Sequence, residues 1–527
     1  MDRRRSLQGI RPVKVLFVRP PRHYWPILNE SDNFLLPLGF PCLAAYVRRE
    51  MPDVEVDILD CCVEGIGWAN LATELERRSP HVVCVGEKVV YAHEGFRLVS
   101  LARKILPEVI TIAGGHFVSH LPDHSLTTCP ELDYVIRYEG EVPLVSLLRN
   151  LQNGGDLGQT PNLCWRDGEG FHESDLGANV HHLDDLPIPA YDLVPLQKYA
   201  PFGLLWPKAV TVQRSRGCVD TCRFCSWIAV ESKHTRDSDG VIHTSPQFRS
   251  KSVDRMISEI ELLYEKYGVR YLFWVDATWN TDNKWLDEFC SEIIRRKYEL
   301  GWWAFTRIDL LLHQEKQGIL EKMVKAGLRH VLVGVERSAD LDLGWLNKHG
   351  YKESVAYQAF HLLRDKYPQV FRQGTFITGV RSDTAESIRS LLDFAHGIDC
   401  DFAAFHPITP FPGTPLYEEA LSRGWLEESD FSKYDMFGPV MSTEHLTREE
   451  VAHWTTWCQK NFVARMPLRY FSRLLSPHQN RRKLHWWFAY SISRVMARQV
   501  INHVKGVESF EGFAGVNKLW RPDWYER

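Results

Sequence analysis

The segment KAVTVQRSRGCVDTCRFCSW, residues 208–227, decides how this chain is read. Its first eight residues read as a strand. The strand runs directly into a loop where Cys218, Cys222 and Cys225 stand in a C-x3-C-x2-C spacing. Three thiolates so close in sequence can face one centre if a short loop wraps around it. A structural zinc site wants a fourth Cys or His nearby, usually from a second paired motif. No CxxC partner exists elsewhere in the chain. Soft thiolates with three ligands suit a [4Fe–4S] cluster with one iron left open. A zinc ion, or three unligated cysteines, are the alternatives.

Around that loop lies a chain of 527 residues, for which the soft prior is about three domains. With 44% hydrophobic and 25% charged residues it is globular, which excludes collagen-like and wholly disordered chains. Lys plus Arg is 63 against 67 Asp plus Glu, a net charge of −4, which argues against a nucleic-acid partner. No charge-free apolar stretch of about 20 residues is present, so no spanning helix is expected. The basic start MDRRRSLQGIRPVKVLFV leads into a short apolar run that reads as a strand, not a signal peptide. A cytoplasmic location follows as the expectation, where thiols stay reduced. Nine further cysteines, at 42, 61, 62, 84, 129, 164, 290, 400 and 458, are scattered.

Residues 206–420 form the domain that carries the cysteine loop. Strand candidates at 271–276, 302–307, 330–336, 371–380 and 401–407 alternate with helical patterns at 253–268, 283–297, 315–326, 353–365 and 383–396. This repeat fits a partial (β/α)6 barrel, whose active-site residues lie at strand C-termini. The polar residues there are Asp276, Asn280, Arg307, Asp309, Glu336, Arg337 and Ser338. Each is equally readable as a barrel-rim residue in a structural hydrogen bond, and Arg307 and Glu336 are candidates for a mutual ion pair.

The cysteine loop resembles the cluster motif of radical S-adenosylmethionine (SAM) enzymes, with Phe224 in the motif's aromatic place. The resemblance implies that Cys218, Cys222 and Cys225 hold a [4Fe–4S] cluster whose open iron binds SAM. One electron then splits the sulfonium bond to give a 5′-deoxyadenosyl radical, which calls for a donor of the flavodoxin or ferredoxin kind. It also implies that Phe224, Asp276, Arg307, Glu336 and Gly379 help hold SAM.

Residues 12–150 alternate short β-branched runs with amphipathic segments, at 13–18, 54–60, 81–86, 109–114 and 132–137 for the strands. Five βα units suggest a doubly wound, flavodoxin-like sheet, which binds ligands at its carboxyl strand ends. Turns there include Gly86-Glu87, Gly114-Gly115-His116 and Glu139-Gly140. They suit close approach of a bulky ligand, or are ordinary tight turns. Residues 151–205 are a Gly- and Pro-rich linker with a hairpin and an extended connector.

A flavodoxin-like domain ahead of a radical SAM barrel resembles the cobalamin-dependent radical SAM enzymes, and PNLCWRDGEGF with DDLPIPAYDL is similar to their connector. The resemblance implies cobalamin held by Gly86, Glu87, Gly114, Gly115, His116, Glu139 and Gly140. No D-x-H-x-x-G is present, so no histidine of that motif would ligate cobalt. HPITPFPGTPLYEEA and FSKYDMFGPVMSTEHLTREEV are similar to the anaerobic magnesium-protoporphyrin monomethyl ester cyclases and related methyltransferases. The expected activity is methyl transfer to an unactivated carbon or phosphorus of a small molecule. The rivals are radical cyclisation or rearrangement of a tetrapyrrole-like substrate, and a non-catalytic corrinoid or metal sensor. Trp274, Trp279, Trp302 and Trp303 fit either a large, flat ligand or plain core packing.

Residues 421–527 read as a mainly helical region. From Val463 to Lys505 there are nine Lys or Arg and no Asp or Glu, interleaved with Phe471, Leu474, Leu475, Trp486, Trp487, Phe488 and Tyr490. Residues 465–505 therefore suit peripheral contact with an anionic membrane or with an acidic substrate, or a helical cap with its aromatics packed on the barrel.

Overall fold

A computed structural model of the chain describes residues 5–22, 35–86, 88–199, 208–504 and 524–527. The first sheet has seven strands: β1 (Val13–Arg19), β2 (Val54–Asp60), β3 (Val82–Gly86), β4 (Ile110–Gly114), β5 (Tyr134–Ile136), β6 (Leu163–Asp167) and β7 (Gly170–Glu173). Their order is β2-β1-β3-β4-β5-β6-β7. The first five are parallel, in the flavodoxin-like order whose ligand crevice opens between β1 and β3. Val82, Val83, Cys84 and Val85 are all buried, because helices cover both faces.

The hairpin expected in the linker is β6–β7, but it is not free-standing. β6 pairs antiparallel with β5, Tyr134 opposite Trp165, so the first unit extends through Glu173 rather than ending at 150. The three-residue β5 offers an open edge, and a hairpin beyond the last helix of the unit is placed to cover it. The Pro-rich connector touches both domains. Tyr199 donates to Asp60 at 2.9 Å, and Tyr191 donates to Glu259 in the next domain at 2.7 Å.

The second domain is a six-stranded parallel sheet, ordered β17-β16-β15-β14-β13-β8, that curls into a partial barrel. Its strands are β8 (Ala209–Val212), β13 (Tyr271–Trp274), β14 (Gly301–Phe305), β15 (Leu328–Glu336), β16 (Phe371–Thr378) and β17 (Phe402–Pro407). Between β8 and β13 lie the pair β9 (Ser215–Arg216) with β12 (Arg249–Ser250) and the hairpin β10 (Lys233–Arg236) with β11 (Ile242–Ser245). The hairpin is mostly polar and exposed, so it leaves no hydrophobic pattern to read. The helical pattern expected at 315–326 is two helices, Ile308–Lys316 and Ile319–Ala326, interrupted where Gly318 takes φ +72°.

The C-terminal region forms helices Arg448–Ala464, Pro467–Leu474 and Gln479–Val504. Thr447 and Glu450 make a capping box at the start of the first. The last helix buries Leu484, Trp487 and Phe488 against Tyr271, Phe273, Trp303, Phe371 and Phe402, at the strand starts. It thus closes the end of the barrel opposite the cysteine loop. Asp401, fully buried, anchors it: Arg372, Arg481 and His485 lie within 3.4 Å of its carboxylate and Arg473 at 3.5 Å. Trp274, Trp279 and Trp302 are fully buried and pack against one another at tilted angles and edge-on against Phe289 of the helix Asn283–Arg295. Core packing accounts for these three. Among the described residues no helix is long and apolar enough to cross a membrane.

Candidate functional site

The cysteine loop leaves β8 at the carboxyl end of the barrel and is held from both sides. At its root, Asp276 after β13 accepts from the backbone N–H groups of Arg214 and Ser215 at 3.1 and 2.6 Å and from the Ser215 hydroxyl at 2.5 Å. Asp276 is fully buried, and burial raises its carboxyl above the ordinary value against the pull of Arg214. It fixes where the loop begins. Asn280 ties β13 to β14, donating to the Arg307 carbonyl at 3.1 Å and accepting from its N–H at 2.9 Å.

Within the loop, the Cys225 N–H donates to the Cys222 carbonyl at 3.1 Å, and Cys225 caps the helix Ser226–Glu231. The Asp220 N–H reaches Cys218 Sγ at 3.5 Å. Burial pushes the Cys225 thiol up to about 11, with backbone N–H groups of the following helix opposing, and pushes Cys222 above its ordinary range. Cys225 feels the charge of Cys218, and Cys222 that of Cys225, so the three sulfurs share one pocket. Three soft donors in one desolvated loop fit a [4Fe–4S] cluster, whose cationic irons would deprotonate them on binding. Asp167, Glu169 and His172 form a separate donor group within 4.8 Å.

Two charged knots face this loop. In the first, Arg307 binds Asp220, between the first two cysteines, and also Asp309 at 3.0 Å. In the second, Glu336 accepts from Lys348 at 2.8 Å. The expected Arg307–Glu336 pair is therefore not formed: each residue has a nearer partner of opposite charge. Burial pulls the Lys348 ammonium down, yet Glu336 holds it well above its ordinary value. Glu336 sits at φ +66° beside a bulge in β15, a conformation a non-glycine residue keeps only when its surroundings enforce it. A Cβ on Gly334 would collide with the Glu336 carboxylate and lie 2.8 Å from Lys348 Nζ. Gly334→Ala is therefore expected to weaken SAM binding at least tenfold in equilibrium dialysis while the protein still takes up iron and sulfide.

The other two expected SAM residues have visible structural partners. Phe224 packs with Leu346, Ile377, Ile408 and Leu416, pinning the stretch between the last two cysteines. Gly379 has φ +72°, and a Cβ there would strike Val451 at 2.8 Å. The space on the Cβ side of this glycine is thus filled by the helix Arg448–Ala464. Lys348, Asp220 and Gly334 were not singled out from sequence. Asp220 lies inside the C-V-D-T-C stretch, but GWLNKHG gives Lys348 no signal.

The sheet-end residues of the first domain divide in two. Gly86, Gly114 and Gly115 end β3 and β4 at the crevice, and Gly115 takes φ +99° before the helix His116–His120. His116 follows with its Nε2 lacking a hydrogen-bond partner, and burial pulls its imidazole down to about 4. Glycine-lined strand ends and an orphaned imidazole nitrogen fit a corrin. Glu87 lies outside the described residues. Gly140 makes room for Leu43, which a Cβ would meet at 3.2 Å.

Glu139, at the end of the turn after β5, meets two arginines of the second domain. Arg249 grips it with two hydrogen bonds, of 3.0 and 2.5 Å, and Arg216 lies 3.3 Å from it and 2.5 Å from Glu141. The reason is topological. The turn after β5 meets the β9–β12 pair, which presents two arginines. This buried four-charge lock joins the two domains immediately before Cys218. Glu139→Gln is expected to lower the unfolding free energy by about 2–4 kcal/mol, read from urea titrations, since it leaves Arg249 undercompensated. Gel filtration of the reconstituted variant is expected to show less retained cobalamin.

The chain matches the B12 binding domain family over residues 24–148 and the radical SAM superfamily over residues 212–395. It is 27% identical over 444 residues to an uncharacterized methyltransferase of Pyrococcus horikoshii, covering 84% of this chain and 90% of that protein. It is 26% identical to the anaerobic magnesium-protoporphyrin IX monomethyl ester cyclase of Cereibacter sphaeroides, covering 83% of this chain and 68% of the cyclase. The fold matches the cobalamin-dependent S-adenosylmethionine radical enzyme OxsB with a TM-score of 0.69 at 15% identity, covering 93% of this chain and 73% of that one.

Proposed function

We propose, on the premise that this chain belongs to the cobalamin-dependent radical SAM enzymes, that it methylates an unactivated carbon or phosphorus centre of a small-molecule substrate. The observation that carries the reading is the three-cysteine loop, roofed by the Arg307 and Glu336 knots and locked through Arg216 to the corrin-type sheet. In this reading Cys218, Cys222 and Cys225 hold the cluster and leave one iron for SAM. Glu336 and Lys348 present a carboxylate and an ammonium, the complement of an amino acid's amino and carboxylate groups. Arg307 fixes the loop through Asp220. Gly86, Gly114, Gly115 and His116 receive the corrin. When bound, the cluster and cobalamin supply the electron that cleaves SAM and the carrier for the methyl group. The chain's own residues position these groups and keep water out. The electron comes from a small flavodoxin- or ferredoxin-like donor.

The test is anaerobic reconstitution with iron, sulfide and cobalamin, followed by mass spectrometry of the SAM products. Methyl transfer predicts 5′-deoxyadenosine together with S-adenosylhomocysteine, and a product heavier than its substrate by one CH2. The similarity to the cyclase favours one rival, oxidative cyclisation of a tetrapyrrole-like substrate. It predicts 5′-deoxyadenosine without S-adenosylhomocysteine and a product changed in hydrogen and oxygen. Formation of neither SAM product would refute both.

A further inference from the structure

The C-terminal helices have two faces, and the barrel accounts for only one. On Gln479–Val504, Leu484, Trp487 and Phe488 enter the core. The outward positions 486, 490, 493, 497, 500 and 504 recur every three or four residues, with 501 beside them, in one continuous stripe about 27 Å long at 1.5 Å per residue. That stripe reads Trp, Tyr, Ser, Ala, Val, Ile, Val. Trp486 is 56% and Val504 79% exposed. The preceding helix adds a second stripe at i, i+3 and i+7: Leu468 at 83%, Phe471 at 65% and Leu475 at 79%. The two stripes adjoin, since the Trp486 indole donates to the Leu474 carbonyl at 3.1 Å.

Charge identifies the occupant. No acidic residue stands between Val463 and Lys505, against nine basic ones. Barrel aspartates at 393, 399 and 401 take up Arg465, Arg469, Arg473 and Arg481. Arg482 donates to the Ser476 carbonyl at 2.7 Å, a neutral partner that leaves its charge intact, and Lys483 lies next to it, one turn before Trp486. A long apolar stripe, with a Trp, flanked by cations and free of anions, is the pattern of a helix lying in the headgroup layer. We infer that these two helices seat the protein on an anionic lipid bilayer, with Leu468, Phe471, Leu475 and Trp486 entering the interface and Arg482 and Lys483 meeting lipid phosphates. This surface lies at the barrel end opposite the cysteine loop, so docking leaves the cofactor side facing the aqueous phase. The aromatic segment thus serves both tasks that the sequence left open, because its residues alternate between core and surface.

The experiment is co-sedimentation of the reconstituted full chain with vesicles of phosphatidylcholine alone or mixed with phosphatidylglycerol. The expected result is partition onto the anionic vesicles, reduced by salt, with little binding to the neutral ones. Phe471→Ser with Leu475→Ser should weaken that partition about tenfold or more without changing the visible spectrum of the bound cofactors. Arg482→Glu with Lys483→Glu should remove the preference for anionic lipid. If the double serine variant does not fold, Trp486→Ser provides the same apolar test. Full retention in the supernatant with anionic vesicles would overturn the proposal. So would a dimer in light scattering that F471S/L475S converts to monomer, which would assign the face to a second copy of the chain.

Discussion

Cys222→Ala is expected to yield a folded protein that takes up no stable cluster after anaerobic reconstitution and forms no 5′-deoxyadenosine above background. The same outcome is expected for Cys218 and Cys225. The sulfurs sit in a desolvated pocket where burial raises the thiols at 222 and 225, and the chain offers no fourth cysteine nearby to substitute. The nearest acid in the loop is Asp220, which is held by Arg307. Iron and acid-labile sulfide analysis, read beside the circular dichroism spectrum, separates loss of the cluster from loss of the fold. A triple alanine variant with wild-type turnover would refute the assignment outright.

The second large effect is on stability. Asp401 has no exposed surface, and Arg372, Arg473, Arg481 and His485 converge on it. Asp401→Asn keeps the shape but leaves several cations undercompensated inside the protein. The expected loss is about 3–5 kcal/mol, measured as a fall in the urea midpoint of the full chain. The helix Gln479–Val504 is expected to become protease-sensitive first, because Arg481 and His485 are its anchors. The pH dependence has a definite sign. Burial alone would raise the Asp401 carboxyl, but the surrounding cations hold it well below its ordinary value. Its contribution is therefore complete above the unfolded value of about 3.9 and is lost as pH falls through the lower folded value. The gap between wild type and Asp401→Asn should persist down to the range where the buried His485, held below its ordinary value, takes up a proton beside Asp401, and close as Asp401 itself is protonated.

Both sheets were legible because their strands are buried on two faces. Runs such as VVCVG and YLFW are apolar almost throughout and buried along their length, and turns punctuate them. The cysteine loop was legible because spacing alone restricts its chemistry. The rest depended on which residues meet across the chain. Asp276, Glu139 and Gly379 sit at strand ends, and their partners there, a loop root, a domain lock and a helix approach, lie far away in sequence. Lys348 enters the site from a loop twelve residues beyond Glu336, with no motif to mark it. The hairpin β6–β7 was recognised as a hairpin, but nothing local indicated that β5 would recruit it.

Arg216 is two residues from Cys218 in sequence and grips Glu141 at the start of the helix Glu141–Asn153 in the other domain. The joint between the two domains is thus held within one dipeptide of the cysteine loop, beside the anchors that Tyr191 and Tyr199 of the connector supply. A change at Arg216 or Glu141 would shift that joint without touching Cys218, Cys222 or Cys225.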